Sequence, residues 1–530
     1  MEWCYTCECM LGGAVCCALR GIAGVPVTVE VDVAEGLPNF TIVGLTDRAI
    51  QEARERVRTA VDNAGLTAGN SKAFPRKRVV VNLAPAELPK EGTGFDLAIA
   101  VAVLAAVLPG LRGQVAGHAY LGELALDSSL RPVAGVLPMA WALRAAGVRR
   151  LVVPCENAAE AALVEGLEVI AAPSLPAVVR HLEGAQPLPP SPRRTFGGEA
   201  PCSGLDLAEV RGQHTARRAL EIAAAGGHNL LMLGPPGAGK TMLAQALAGI
   251  LPDLDAEEAL EVAAIYSLRG AFSGRAPQAL RPPFRAPHHS ISRAGLVGGG
   301  SGLAQPGELS LAHRGVLFLD ELTEFPRHLV DALRQPLEER AVTVTRARGS
   351  VRLPADFSLV AAANPCPCGQ LGEACGCRCS PADVERYAAR LRGPMRDRID
   401  LCVHLRRQAF GTLFTEGRGV ETSAEVRTRV AGARARQRAR HGDEPSGSAS
   451  GTGGRRLNAG LQGNRLMAAC AATPAALRLV AERGERLQLS GRAYHRVLRV
   501  ARTIADLDGA ERVGLEAVEE AIQLRGEEER

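Results

Sequence analysis

The stretch "HNLLMLGPPGAGKTMLAQALAGIL", residues 228–251, constrains this chain more than any other. An apolar run enters a turn of glycines and prolines and leaves it as a helix-periodic segment, which reads as buried strand, tight loop and helix. Within it, Gly234 to Thr241 matches G-x-x-x-x-G-K-[ST]. In such a loop Gly234, Pro235, Pro236, Gly237, Ala238 and Gly239 wrap the backbone round a phosphate. The helix N-terminus adds positive dipole, Lys240 reaches the β and γ phosphates, and Thr241 offers a hydroxyl to Mg²⁺. The segment therefore predicts a nucleotide site with ATP and Mg²⁺ as cofactors. Of 62 basic residues only Lys72, Lys77, Lys90 and Lys240 are lysines. A compact ammonium suits a phosphate cradle better than a planar guanidinium, so a lysine kept at 240 fits this reading. Chance survival in an arginine-biased composition is the other explanation.

Such a site needs a carboxylate at the end of a neighbouring strand. "GVLFLDELTEF", 315–325, supplies Asp320 to hold Mg²⁺ and Glu321 to orient and deprotonate the attacking water. A third strand, "DFSLVAAANP", ends at Asn364, whose amide would sense the γ phosphate and position the water.

At 530 residues there is room for two to four domains, because single cores stop growing near roughly 250–300 residues. Residues 1–14 read as an extension of no assigned function. A mixed α/β domain is expected over 15–184, a Pro- and Gly-rich linker over 185–203, and the nucleotide-binding α/β core over 204–415, with an insertion at 266–313. A helical region covers 416–530 and includes a flexible loop at 441–456. The net charge of +5 permits a nucleic-acid partner without demanding one. No secretory signal and no membrane-length apolar run is apparent, so a cytoplasmic location without a membrane partner is expected.

In that compartment clustered cysteines point to metal or catalysis before disulfides. "NPCPCGQLGEACGCRCSP", 364–381, places five cysteines directly behind Asn364. Cys366-x-Cys368 and Cys377-x-Cys379 can give four thiolates to a structural Zn²⁺, with Cys375 as an extra ligand candidate. Buried or redox-active thiols are the alternative. The arginine-rich helix from Arg427 to Arg440 is expected to present a solvated face, with a DNA patch as the other reading.

The segments "FRAPHHSISRAGLVGGG", "PGELSLAHRGVLFLDELTEF", "LRQPLEER", "NPCPCG" and "RDRIDL" resemble the AAA+ ATPases, and within them the YifB/ComM family of magnesium-chelatase-like proteins. The resemblance covers nearly all of the chain. It implies an α/β AAA+ P-loop core with a helical lid, and a hexameric ATP-driven motor on single-stranded or branched DNA. Such motors promote branch migration during DNA integration in natural transformation, alongside recombination proteins. It also implies that Arg398 is the arginine finger serving a neighbouring subunit, with Arg396 as rival, and that Arg492 is the sensor arginine of the lid. In the insertion, Arg285, His288, His289 and Arg293 would line loops facing a central pore and track DNA phosphates, or else pack between subunits. A remodelling ATPase acting on a protein partner, as in magnesium chelatase, is the alternative function.

The segments at 121–157 and "LPKEGTGFDLAIA" resemble the proteolytic domain of Lon, a ribosomal protein S5 domain 2-like fold. Gly94 stands where that fold has its serine and Leu137 where it has its lysine. A Ser-Lys dyad needs an amine that can lose its proton near neutral pH, so a structural or binding module is expected.

Overall fold

The computed structural model describes residues 11–66, 73–196, 205–270, 281–300, 305–346, 349–373, 376–391, 395–408, 420–441 and 457–526. The chain divides into two compact units. The first comprises Met1–Gly198, Leu260–Gln278 and Gly300–Gln305; the second holds the rest.

The first unit is built on a seven-stranded mixed sheet. Its strands are β1 (Leu11–Arg20), β2 (Ala23–Ala34), β3 (Asn39–Val43), β4 (Arg78–Ala84), β5 (His118–Tyr120), β6 (Arg150–Pro154) and β7 (Glu168–Ala172), in the order β3-β4-β2-β1-β5-β6-β7. In β2 the alternate residues Val27, Val29, Val31 and Val33 are buried, the period-two pattern of a strand with one face in the core. β1 starts at Leu11 and pairs with β2 from Leu11 opposite Asp32 onward. Residues 11–14 of the stretch read as an extension are thus strand, while residues 1–10, with Cys4, Cys7 and Cys9, lie outside the described residues.

The apolar run at 97–107 forms helix α1 (Asp96–Val107), buried along nearly its whole length as its composition predicts. It lies directly on β1, where a Cβ on Gly12 would stand 2.1 Å from the Ala102 carbonyl oxygen. The Lon-like reading places Gly94 and Leu137 in this unit. Leu137 is fully buried with its N–H facing Ser267 Oγ at 3.3 Å, and Lys90 is buried with Nζ donating to the Pro85 carbonyl.

Glu160 is also buried here, with Oε1 accepting from Asn157 Nδ2 at 2.7 Å and Oε2 without a partner among the described residues. Burial pushes its carboxyl up to about 7 from an ordinary 4.5, against the opposing pull of the Ser267 hydroxyl and the Asn157 hydrogen bond. Between those values the folded chain keeps a proton that the unfolded chain releases, so this group's contribution to stability falls as pH rises through that window. Glu160→Gln is expected to raise the melting temperature at pH 8 and to leave it little changed at pH 4.5. Equal shifts at both values would show that the carboxyl does not carry this pH dependence.

The second unit holds a five-stranded parallel sheet of β8 (Leu230–Leu233), β9 (Phe284–Arg285), β10 (Val316–Leu319), β11 (Ser358–Ala363) and β12 (Leu401–His404), ordered β9-β10-β11-β8-β12. β10 and β11 are buried throughout, which is why they read as apolar runs, broken only by Ser358 at the start of β11, rather than as alternations. Around this sheet run α2 (His214–Gly226), α3 (Lys240–Ile250), α4 (Ser423–His441) and α5 (Gly491–Leu507). Ser490 caps α5, its hydroxyl accepting from Ala493 N at 3.3 Å.

The arginines of α4 have partners that their sequence did not show. Arg427 donates to the Gly249 carbonyl, Arg434 to that of Ala224 and Arg436 to that of Asp506. Arg429 pairs with Glu221 and Glu421, and Arg440 with Asp506. Arg429, Arg436, Arg438 and Arg440 stay exposed, as a solvated face requires, while Arg427 and Arg434 are half-buried. The paired arginines satisfy carbonyls and acids of the helices packed against them, because guanidinium donors bridge to such groups while their stems pack on apolar surface. Among the described residues no helix is long and apolar enough to cross a membrane.

Candidate nucleotide site

Parallel register decides what meets what. Leu233 lies opposite Ala363, and Leu319 opposite Ala361, so β8 and β11 end together and β10 ends two residues short of them, all toward the same edge. The next residues of each strand, Gly234, Asp320 and Asn364, therefore share one sheet edge. Gly239 takes φ +88° as the loop turns into α3, whose first residue is Lys240.

Lys240 Nζ donates to the carbonyls of Gly234 and Pro235 at 2.6 and 3.0 Å and to Asn364 Oδ1 at 2.9 Å. Its burial lowers its pKa, partly offset by Asp320 and Glu321. Held by three oxygens in a half-closed loop, this ammonium is placed for phosphate oxygens. Thr241 Oγ1 donates to Asp320 Oδ2 at 2.9 Å. A hydroxyl and a carboxylate side by side are hard oxygen donors, a set that fits Mg²⁺. Glu321 adopts φ +50°, and its side chain is exposed, with Oε2 4.0 Å from His289 Nδ1.

Behind the site stands the cysteine knuckle. The sulfurs of Cys366, Cys368, Cys377 and Cys379 all lie within 4.8 Å of one another. Cys366 and Cys368 are 3.4 Å apart, and Cys377 is 3.6 and 3.5 Å from them. Zn–S bonds of about 2.3 Å in a tetrahedron would set sulfur–sulfur edges of about 3.8 Å, so the cluster fits a metal ion of that kind. Backbone N–H groups of Arg378 and Gln370 hold the Cys368 thiol down to about 6, while, against backbone N–H groups, burial and the neighbouring thiols push Cys377 up to about 12 and Cys379 up as well. Cys375 lies outside the described residues.

Sequence reasoning missed what the knuckle touches. Its first turn carries Gly369 at φ +75°, and a Cβ there would stand 2.5 Å from Pro236 Cδ. The turn thus rests on the phosphate loop. In the helix that follows, Pro381–Leu391, the Tyr387 hydroxyl accepts from Thr323 Oγ1 at 2.6 Å, which ties the knuckle to the segment after Glu321.

Arg398 and Arg492 are elsewhere. Arg398 precedes β12, whose Leu401 lies opposite Leu230 at the start of β8, so it sits at the edge away from Lys240. A four-residue strand separates the two edges by about 13 Å. There Arg398 pairs with Glu338, and it borders an open groove of about 1000 Å³ together with Arg492. The rival Arg396 turns inward, onto Cys402 Sγ at 3.7 Å and the Arg525 carbonyl at 3.4 Å. Asn229, unremarked in sequence though it opens β8, braces this edge. Its Nδ2 donates to the Arg398 carbonyl at 2.8 Å, its N–H to Asp400 Oδ2 at 3.1 Å, and its Oδ1 accepts from Leu359 N at 2.9 Å. Burial alone would raise Asp400, but His228 and the Asn229 N–H hold it below the usual carboxylate range.

In the insertion, Arg285 forms a two-point pair with Glu308 at 2.6 and 2.8 Å, and His288 Nδ1 lies 2.8 Å from Ser290 Oγ. Arg293 is exposed at the start of a short helix. Residues 271–280 and 301–304 of the insertion lie outside the described residues, as does most of the expected loop at 441–456.

Residues 206–413 match the family model for magnesium chelatase subunit ChlI, 29–157 that for subunit ChlI of Mg-chelatase, and 420–525 that for the ChlI C-terminal region. The chain is 42% identical to the YifB protein of Escherichia coli and 42% identical to the competence protein ComM of Haemophilus influenzae, in each case over 96% of both chains. The chain belongs to the YifB/ComM family. A further relative, an uncharacterised protein of Mycobacterium tuberculosis, is 44% identical over 97% of this chain and 98% of its own. Family membership supports an AAA+ ATPase of magnesium-chelatase type, with ATP and Mg²⁺ as its cofactors.

Proposed function

We propose that this YifB/ComM-family protein is an ATP-driven ring, hexameric as in the family resemblance, that moves single-stranded or branched DNA and promotes branch migration during recombination. The observation that carries the ring is the split of the site: Lys240, Thr241, Asp320, Glu321 and Asn364 gather at one sheet edge, Arg398 and Arg492 at the other. A head-to-tail interface would bring one copy's arginines to the next copy's phosphates, and repeating that contact closes a ring.

In this reading Lys240 neutralises the β and γ phosphates. Glu321 takes a proton from the attacking water, and Asn364 holds that water in line. Arg398 of the adjacent copy offsets charge developing on the transferred phosphoryl, with Arg492 beside it. Thr241 and Asp320 would hold Mg²⁺, which when bound neutralises phosphate charge. Cys366, Cys368, Cys377 and Cys379 would hold a structural Zn²⁺. Residues 15–184, read as Lon-like, serve as a structural or binding module.

DNA as the substrate rests on the competence protein among the relatives. The ion pair of Arg285 with Glu308 takes that residue away from phosphate tracking and leaves Arg293 as the arginine to test. The remodelling of a protein partner is the second reading, favoured by the chelatase description of all three matching family models.

The test is ATP hydrolysis with and without single-stranded, duplex and four-way-junction DNA. Stimulation of several-fold by DNA in the wild type, absent in Lys240→Ala, is the expected result. Hydrolysis indifferent to every DNA would overturn the DNA motor and move the search to protein partners.

A further inference from the structure

Arg496 lines the far-edge groove but is itself nine-tenths buried, an unusual place for a guanidinium. Its nearest carboxylate oxygen, Asp400 Oδ1, is 3.6 Å from Nε, too far for a good hydrogen bond. Its Nη1 is buried and has no hydrogen-bond partner among the described residues. Leaving a charged donor unsatisfied in that way is costly, so such a group calls for a partner that the single chain does not supply.

The surroundings indicate what that partner is. Arg492 lies four residues earlier on α5, on the same helix face, exposed and unpaired among the described residues. Six arginines line the groove against three carboxylates, and Asp356 and Asp400 of those three are buried. A compact polyanion fits this excess. A nucleic-acid backbone is met by side chains spread along a face, whereas Arg496 is a largely buried side chain in the wall of the groove, a place suited to a compact group that enters it.

We propose that Arg496 is a third guanidinium of the composite site, contacting the triphosphate held by a second copy of the chain alongside Arg398 and Arg492. The inference rests on the reading in which the arginine edge of one copy faces the lysine edge of the next. It adds a residue that lies beside Asp400, itself held by Asn229 N–H and 3.5 Å from His228 Nδ1.

The experiment is subunit mixing. Arg496→Ala alone is expected to lose at least tenfold in ATP hydrolysis. Mixed in equal amounts with the inactive Lys240→Ala chain, it should regain activity. Random assembly pairs an intact loop with intact arginines at about a quarter of the interfaces. Arg398→Ala mixed with Lys240→Ala is the control for the interface itself. Recovery in both mixtures supports the assignment. Recovery with Arg398→Ala but not with Arg496→Ala overturns it and leaves Arg496 a packing residue, while recovery in neither overturns the two-copy site as a whole. Should Arg496→Ala fail to fold, Arg496→Lys keeps a charge beside Asp400 and is expected to lose at least threefold and to recover on mixing. Wild-type hydrolysis by Arg496→Lys would overturn the need for a guanidinium. Unchanged hydrolysis with lost DNA binding would overturn the triphosphate in favour of nucleic acid.

Discussion

Lys240→Ala is expected to reduce ATP hydrolysis at least about a hundredfold, the scale of losing one preorganised charge at a phosphoryl-transfer site. The geometry explains why no other residue compensates. Lys240 Nζ is held by the Gly234 and Pro235 carbonyls and by Asn364 Oδ1, so it stands at the junction of the phosphate loop and the neighbouring strand end. Lys240→Arg should fail almost as completely. The planar fork is larger than an ammonium and cannot point three donors at the same small cradle. Fluorescent-nucleotide titration together with steady-state hydrolysis checks both variants. Activity above about a tenth of wild type in Lys240→Arg would mean that charge at this place matters and shape does not.

The second large effect is expected at the cysteine knuckle. Cys366→Ser should reduce bound zinc from one ion per chain to none and weaken nucleotide binding about tenfold, equivalent to ~1.4 kcal/mol. The link is steric. Cys366 is buried and Gly369 N–H donates to its carbonyl at 2.9 Å, so the turn that rests on Pro236 is the same turn that carries the first two thiols. A metal tying those thiols to Cys377 and Cys379 would clamp the turn onto the phosphate loop. Gly369→Ala approaches the same contact from the other side: its methyl would overlap Pro236, and φ +75° is strained for alanine, so nucleotide binding should weaken with zinc retained. Metal analysis and nucleotide titration on both variants separate the two causes. Zinc loss with unchanged nucleotide affinity would show that the knuckle does not support the loop.

The nucleotide edge was readable from sequence because each of its parts is local. A glycine-rich turn between strand and helix, an acidic pair after "VLFL" and an asparagine after "LVAAA" are signals of a few residues each, and the parallel sheet simply aligns their ends. The arginines were not readable in that way. Those of α4 look like a solvated run in sequence, yet their partners, Gly249, Ala224, Glu221 and Asp506, come from segments far away in the chain. Arg285 likewise resembles a loop cation until Glu308 is seen beside it. Asn229 gave no signal beyond being polar before an apolar strand, and Arg496 is one arginine among many on a basic helix.

Sequence alone determined the phosphate-loop pattern and which side chains stand at the strand ends beside it, since the strand-loop-helix pattern carries its own geometry. It also determined the thiol set, through two Cys-x-Cys pairs. Tertiary structure alone decided that Arg398 and Arg492 lie at the edge opposite Lys240, that Arg496 is buried with a donor to spare, and that the knuckle rests on Pro236. The physical reason is that charge and size are properties of a residue, whereas burial, pairing and distance belong to the neighbours that folding brings to it.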